Sequence, residues 1–262
     1  MKKVGLALGG GGARGVAHIA YLQALDEMGV RPSVIAGTSS GAMFGSLYAA
    51  GVKPDEMYDI LKGIFNIKSK GKNKGSNQLK DIKNVPGKLI ASMARKYYSR
   101  YLPCSAFEEL ETPLKIVATD FNTLEEKVFD SGSIADAVMC SIAFPGVFNP
   151  QKAGGRHYID GGATNIVPFD IIRSECDVLI AIDVSKVRPN SYKPTRKNSL
   201  EANWAATQQV LISAKLDNHR VDLFERPTIE NVATMEFYKY KRVYETALEF
   251  VPEFKKKLEE LI

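Results

Sequence analysis

The chain contains 262 residues, of which 45% are hydrophobic and 25% are charged, and its formal net charge at pH 7 is +5. This composition lies near the average for globular domains and excludes a wholly disordered, a collagen-like and a disulfide-scaffold protein. The longest apolar runs, such as Val4–Leu8 and Val178–Ile182, are far shorter than the roughly 18 residues that a membrane-spanning helix requires.

The N-terminal segment and the cysteines bear on the cellular compartment. The apolar stretch after two N-terminal lysines ends at Gly9, so a secretory leader, with its apolar region of roughly 7–15 residues, is not expected. The cysteines, Cys104, Cys140 and Cys176, are odd in number and widely spaced, which argues against a disulfide framework and a zinc site. The sequence therefore predicts a cytoplasmic protein.

The first fifty residues alternate between strand and helix patterns. Val4–Leu8 and Ser33–Ala36 are short apolar runs typical of buried strands, whereas Ala13–Met28 and Ala42–Ala50 have the apolar spacing of helices. Each run is separated from the next by glycine. Alternation of this kind predicts a parallel sheet with helices on its faces.

Further elements follow along the chain. The pattern predicts helices at 54–64, 134–141, 200–220 and 244–262, strands at 114–118, 127–129 and 178–184, and a polar connector at 186–198. No internal repeat is visible, which excludes a solenoid. We therefore expect residues 1–262 to form a single α/β domain with a helical C-terminal extension from about residue 200 to 262.

A basic insertion occupies about residues 66–103, and a loop is expected within it at 68–78. One acidic residue, Asp81, stands there against ten basic ones: Lys68, Lys70, Lys72, Lys74, Lys80, Lys83, Lys88, Arg95, Lys96 and Arg100. The insertion thus carries a net charge of 10 − 1 = +9, which leaves 5 − 9 = −4 for the remainder. Such charge is compatible with a solvated surface or with peripheral contact to an anionic membrane. Nucleic acid is not expected, because no base-reading motif accompanies the charge.

The first candidate for catalysis is the G-x-S-x-G sequence at Gly37–Gly41, between a predicted strand and a predicted helix. Glycines on both sides of Ser39 permit a tight strand-to-helix turn that exposes the serine hydroxyl. The helix N-terminus behind Ser39 would stabilise a developing anion. A serine that merely caps the helix is the alternative interpretation.

A second glycine-rich turn, Gly9–Gly15, separates the first predicted strand from the first helix. Consecutive glycines allow backbone N–H groups to converge on one anion or oxyanion. The turn also fits the dinucleotide fingerprint G-x-G-x-x-G, but no acidic residue ends the second strand to hold a ribose. No Gly-Lys-Ser/Thr follows the glycines, so a Walker A loop is excluded.

A nucleophilic serine needs a base, and the sequence offers few histidines. His18 and His219 are expected to be structural and exposed, respectively, which leaves His157 as the histidine candidate. Asp160 is the other candidate, because it follows an apolar pair and precedes Gly161 and Gly162, which allow close approach of a second backbone. An aspartate of an ordinary Asp-Gly turn is the alternative for Asp160.

Together these blocks resemble the patatin-like phospholipase family. Its G-G-G-x-R-G block is matched by Gly10–Gly15, its G-x-S-x-G block by Gly37–Gly41 and its D-G-G block by Asp160–Gly162. Ser141–Pro145 resembles a further block, and the order and spacing fit over roughly residues 4–184. The resemblance implies a three-layer α/β/α fold with a mostly parallel central sheet and helices on both faces.

The resemblance also implies the chemistry. Ser39 would be the nucleophile, Asp160 the base and Gly10, Gly11 and Gly12 the oxyanion hole of an enzyme that hydrolyses lipid acyl esters without a metal or other cofactor. A lipid or other acyl ester would be the substrate.

Other interpretations remain open at the level of sequence. Arg14 could bind a substrate phosphate or stabilise the glycine-rich turn. The chain could instead be a non-catalytic module that binds a phosphate or lipid, or a Ser-His esterase that uses His157.

Overall fold

A computed structural model describes residues 2–66, 94–96, 98–185 and 195–262 of the chain. These residues form an eight-stranded mixed sheet with helices on both faces, which confirms the predicted three-layer α/β/α class. The strands are β1 Val4–Leu8, β2 Val34–Thr38, β3 Leu114–Asp120, β4 Glu126–Phe129, β5 Gln151–Ala153, β6 Arg156–Asp160, β7 Val178–Ile182 and β8 Leu223–Glu225. The helices are α1 Ala17–Glu27, α2 Ser40–Ala49, α3 Pro54–Asn66, α4 Ile134–Ser141, α5 Arg196–Asn218, α6 Tyr240–Leu248 and α7 Val251–Glu259.

The centre of the sheet is parallel and buried on both faces. Its strands follow the order β3, β2, β1, β7 and β8, and all of these neighbours pair in parallel. Every residue of β1, β2 and β7 is buried, as expected for a parallel sheet covered on both sides. The carboxyl ends of these strands therefore lie at one edge of the sheet.

The register along β3 brings two distant parts of the chain together. Ile116 and Val117 are flanked by both β2 and β4, whereas Ala118 and Thr119 are flanked by both β4 and β6. Since a strand has only two edges, β2 and β6 share the same edge of β3. Thr38 pairs with Val117 and Asp160 with Ala118, so β2 and β6 end one residue apart along β3.

Alternation along the strands divides the core into two layers. On one face, Leu6, Leu8 and Ile35 belong to the larger apolar cluster, which includes buried residues of α1, α2 and α7. On the other face, Ala7 and Ala36 belong to a second cluster with buried residues of 166–172 and α5. This arrangement follows from the two-residue period of a strand, because successive side chains point to opposite faces.

The predicted closing helix at 244–262 is wrong as a single element. Two helices occupy this region, α6 and α7, and the first ends at Leu248. Pro252 lies at the start of α7 and has no backbone N–H to donate to the carbonyl of Leu248. The missing donor breaks the helical ladder at this position.

Other boundaries also differ from the predictions. The first predicted helix begins as the 3-10 turn Gly12–Val16, and α5 begins at Arg196, inside the predicted connector. The strand β8, which was not predicted, pairs with β7 and adds an edge strand to the C-terminal region predicted to be helical. By contrast, α4 has the predicted bounds, and the Ser133 side chain caps it by accepting from the Asp136 N–H.

Part of the predicted basic insertion, residues 67–93 and residue 97, lies outside the described residues, as does 186–194 of the connector. The predicted loop at 68–78 and its membrane contact therefore stay predictions. Within the portion of the chain that the structure describes, no helix is long and apolar enough to cross a membrane.

Gly41 illustrates how tightly α2 packs on the sheet. A Cβ at Gly41 would overlap with the carbonyl oxygen of Leu8 in β1, whereas a Cβ at Gly63 in α3 would meet no neighbouring atom. We expect Gly41→Ala to lower the free energy of unfolding by about 1–3 kcal/mol. The matched control Gly63→Ala should raise it by up to about 1 kcal/mol, because alanine favours a helix. Urea denaturation measures both, and equal effects of the two substitutions would contradict this packing.

Candidate active site

Ser39 stands between β2 and α2 in a strained turn. Its φ and ψ are 52° and −118°, in a region that L residues rarely adopt. The Ser39 N–H donates to Ser141 Oγ at 2.8 Å, and Ser141 Oγ donates to the Val117 carbonyl oxygen at 2.6 Å. Ser141 thereby ties the strained turn to β3 and holds the serine in place.

The hydroxyl of Ser39 contacts the carboxylate of Asp160. Ser39 Oγ donates to Asp160 Oδ2 at 2.7 Å, while Asp160 Oδ1 accepts from the Gly162 N–H at 2.8 Å. Asp160 is 2% exposed. The distance lies within the range of roughly 2.6–3.2 Å in which a base can abstract a proton directly.

Burial changes the acidity of Asp160. It raises the pKa of this carboxyl to about 6, against the opposing effect of the hydrogen bonds from the Gly162 N–H and from Ser39 Oγ. A carboxylate with a raised pKa is a stronger base than an exposed one, and at neutral pH it is still ionised.

The glycine-rich turn lies beside Ser39. Gly11 and Gly12 line the same cavity as Ser39 and Asp160, and Gly12 has a φ of 58° that favours glycine. The Gly10 N–H, however, donates to the Ile166 carbonyl oxygen at 2.9 Å. The prediction that Gly10 donates to an oxyanion is therefore revised, since its amide is already used within the fold.

Arg14 and His18 form buried hydrogen bonds that stabilise the glycine-rich turn. Arg14 is 4% exposed and donates through its guanidinium to the carbonyl oxygens of Val184 and Val232, at 3.0 and 2.9 Å. His18 Nε2 lies 2.8 Å from the Gly9 carbonyl oxygen, and burial lowers the pKa of His18 to about 4. These contacts agree with the structural role expected for His18. Arg14 also borders the cavity, and its binding of a substrate phosphate stays a prediction.

His157 is not placed to assist Ser39. It lies on β6 with an exposed side chain and does not line the cavity around Ser39. Asp160 occupies the hydrogen-bonding position on the serine hydroxyl instead. The alternative of a Ser-His pair with His157 is therefore not supported, because strand alternation turns positions 157 and 160 to opposite faces.

The cavity around the pair is largely apolar and has a volume of about 790 Å³, which includes open solvent. The side chains that line it include several beyond the predicted site residues: Met43, Ile142, Phe144, Phe148, Trp204, Gln208, Met235 and Phe237. No sequence motif predicted a role in the site for Trp204, Gln208, Met235 and Phe237. These residues lie on elements that contact the site only through tertiary packing.

The site joins a serine hydroxyl after the parallel strand β2 to a buried carboxylate at the end of the antiparallel strand β6, beside a glycine-rich turn. This arrangement defines an α/β protein with a serine–aspartate site. The sequence matches the family model described as Patatin-like phospholipase over residues 6–173. The chain belongs to the patatin-like phospholipase family, and the family resemblance seen in its motifs is confirmed.

Among curated proteins, the chain is similar to an uncharacterized NTE family protein of Mycobacterium tuberculosis, with 31% identity over 213 residues. That alignment covers 77% of this chain and 54% of the relative. It is also similar to lysophospholipase NTE1 of Saccharomyces cerevisiae, with 24% identity over 278 residues, covering 94% of this chain and 16% of the yeast protein. The chain thus matches about half of the mycobacterial relative and a small part of the yeast one.

Solved structures of similar fold include two bacterial proteins. VipD from Legionella pneumophila has a TM-score of 0.56 and 17% identity, and the alignment covers 97% of this chain and 66% of VipD. The type III effector protein ExoU, from Pseudomonas aeruginosa, has a TM-score of 0.50 and 17% identity, with coverage of 98% and 53%. These likenesses concern the fold.

The buried carboxyl of Asp160 should cost stability when it ionises. Its folded pKa of about 6 exceeds the ordinary value of 3.8, so wild-type stability falls as pH rises from about 4 to about 6. We expect Asp160→Asn to remove this dependence and to gain up to about 3 kcal/mol over wild type by pH 7. Urea denaturation between pH 4 and 8 measures the difference. Ser39→Ala keeps the carboxyl but removes the hydrogen bond that lowers its pKa, so it should show at least the wild-type dependence, extended to higher pH. A constant difference between Asp160→Asn and wild type would contradict the raised pKa.

Proposed function

We propose that this chain is a serine hydrolase that cleaves carboxylic ester bonds of lipids, of the phospholipase A, lysophospholipase or esterase type. Ser39 is the nucleophile and Asp160 the general base in this proposal. The observation that carries it is the 2.7 Å hydrogen bond from Ser39 Oγ to a carboxylate at the base of an apolar cavity. Membership of the patatin-like phospholipase family supports a lipid substrate.

The reaction begins when Ser39 Oγ attacks the ester carbonyl carbon and passes its proton to Asp160. The carbonyl oxygen gains negative charge, and the N–H groups of Gly11 and Gly12 are proposed to bind it. The N-terminus of α2, directly after Ser39, adds favourable potential at the same place.

The tetrahedral intermediate then collapses. The bond to the alcohol oxygen breaks, and protonated Asp160 gives its proton to the leaving alkoxide, so the alcohol departs and an acyl-serine remains. A water molecule attacks this ester while Asp160 takes a proton from it. The second collapse releases the carboxylic acid and returns the proton to Ser39 Oγ, which restores the starting state.

A carboxylate is a weak base for an alcohol, so the surroundings of the pair must contribute to the rate. Burial of Asp160 raises its basicity, and the strained turn at Ser39 directs Oγ into the cavity. Each amide of the oxyanion hole contributes about 2.7–4 kcal/mol in other serine hydrolases. The proposal therefore requires the hydrogen bond, the burial and the glycine-rich turn together.

The proposed catalytic unit is a single domain that includes the C-terminal region. Trp204, Gln208 and Phe237 line the cavity that contains Ser39, so the site is incomplete without the residues after the family match. We place α5, β8, α6 and α7 in the same domain as the serine–aspartate pair for this reason.

Substitution of the pair tests the proposal. We expect Ser39→Ala and Asp160→Asn each to lower kcat for a 4-nitrophenyl ester by at least about 1,000-fold, because a nucleophile and its base act as one unit. Ser105→Ala, at an exposed position, and Asp136→Asn, at a half-buried position that does not line the cavity, are matched controls that should keep wild-type rates. Wild-type turnover by either folded pair variant would contradict the assignment.

The pH dependence offers a separate test of the base. Because Asp160 must be ionised to accept a proton and its pKa is about 6, kcat/KM should fall about tenfold per pH unit below pH 6 and level off above pH 7. Initial rates in overlapping buffers measure the profile, with circular dichroism to verify that the protein stays folded. A flat profile between pH 5 and 8 would contradict the role of Asp160.

A further inference from the structure

The cavity extends well beyond the residues that the family model matches. The match ends at residue 173, whereas α5 contributes Trp204 and Gln208 to the cavity wall. The segment after β8 adds Met235 and Phe237. Residues outside the family match therefore border the cavity that contains Ser39 and Asp160.

Trp204 lies near the proposed base in this wall. A Cβ built on Gly162 would lie 3.2 Å from Trp204 Cζ2 and 3.0 Å from Asp160 Oδ1, so the indole edge and the carboxylate both border the same glycine. The indole also packs edge-on against the ring of Phe144, with centroids 5.3 Å apart and an interplanar angle of 70°. Such aromatic pairs fix ring positions relative to each other.

Gln208 connects α5 to the turn after Asp160 by a hydrogen bond. It lies one helical turn after Trp204, is 2% exposed and donates through Nε2 to the Gly162 carbonyl oxygen. The N–H of the same glycine donates to Asp160 Oδ1. The position of the indole is thus set relative to Asp160 by a short chain of hydrogen bonds.

The chemistry of the wall around Trp204 indicates what it contacts. The same cavity is also lined by the apolar side chains of Phe144, Phe148, Ile142 and Met43. Burial of a methylene group against such a surface contributes about 0.8 kcal/mol, which corresponds to about fourfold in an equilibrium or rate constant. An extended hydrocarbon chain matches this wall, whereas a charged head group would lose its hydration there.

We propose that Trp204 determines acyl-chain specificity: its indole contacts the acyl chain of the ester while the ester carbonyl lies at Ser39. The inference rests on the proposed hydrolase function and adds the residue that selects the length of the acyl chain. Trp204 is a specificity-determining residue in this account, and α5 is the element that presents it.

Hydrolysis of 4-nitrophenyl acetate, butyrate, octanoate and dodecanoate tests this assignment. In wild type, kcat/KM should rise with chain length by up to about fourfold per methylene. Trp204→Ala should lower the ratio of kcat/KM for octanoate to that for acetate by about 10- to 100-fold, and Trp204→Phe should restore most of the ratio. Val210→Ala, at a 68% exposed position of the same helix, is the matched control and should keep the wild-type ratio.

The outcomes of this series are distinct. An equal loss on all four esters after Trp204→Ala would show a merely structural role and overturn the inference, as would an unchanged ratio. A wild-type protein that hydrolyses none of the esters would count against the proposed function instead.

A binding measurement separates the two proposals further. Trp204 is the single tryptophan of the chain, so its fluorescence reports on the cavity directly. Titration of the Ser39→Ala protein with dodecanoate should produce a saturable change in emission, and acetate should produce none. A saturable response in a chain whose wild type hydrolyses no ester would retain the acyl site and reject the hydrolase. Ester hydrolysis by wild type without any fluorescence response would reject the acyl site and retain the hydrolase.

Discussion

The hydrogen bond between Ser39 Oγ and Asp160 Oδ2 depends on a junction in the sheet. The two residues are 121 positions apart in the sequence, yet β2 and β6 end one residue apart along the same edge of β3. Parallel pairing brings β2 to this edge and antiparallel pairing brings β6 from the opposite direction. Because the two strands run in opposite directions along this edge, their C-terminal ends meet and place Ser39 next to Asp160.

Close packing around this junction depends on glycines at two positions and on a strained backbone at Ser39. Gly41 lets α2 approach β1, and Gly161 lets the turn after Asp160 approach Val117. Ser39 itself adopts a positive φ, which the hydrogen bond to Ser141 helps to maintain. Strain at the serine and burial of an ionisable carboxyl both oppose folding, and the two apolar clusters on the faces of the sheet offset them. The serine–aspartate arrangement therefore lowers the free energy of unfolding.

Features that depend on neighbouring residues could be predicted from the sequence, whereas features that depend on tertiary contacts could not. The turn at Gly37–Gly41 and the bounds of α4 are specified by neighbouring residues, and both were predicted correctly. The strand β8 has only three residues and shows too little alternation to be identified. The break before α7 was missed because apolar spacing continues across it. Trp204 joins the site through packing on Gly162, a contact that no local pattern carries.

In the proposed function Asp160 activates the hydroxyl of Ser39 for attack, and the rate of covalent labelling by a fluorophosphonate measures that activation. We expect mass spectrometry of the wild-type protein to locate the label on Ser39, and we expect Asp160→Asn to react at least about 100-fold more slowly. Labelling of another residue, or equal rates for wild type and Asp160→Asn, would contradict it. A protein that binds dodecanoate but never accepts the label would be a binding module rather than a hydrolase.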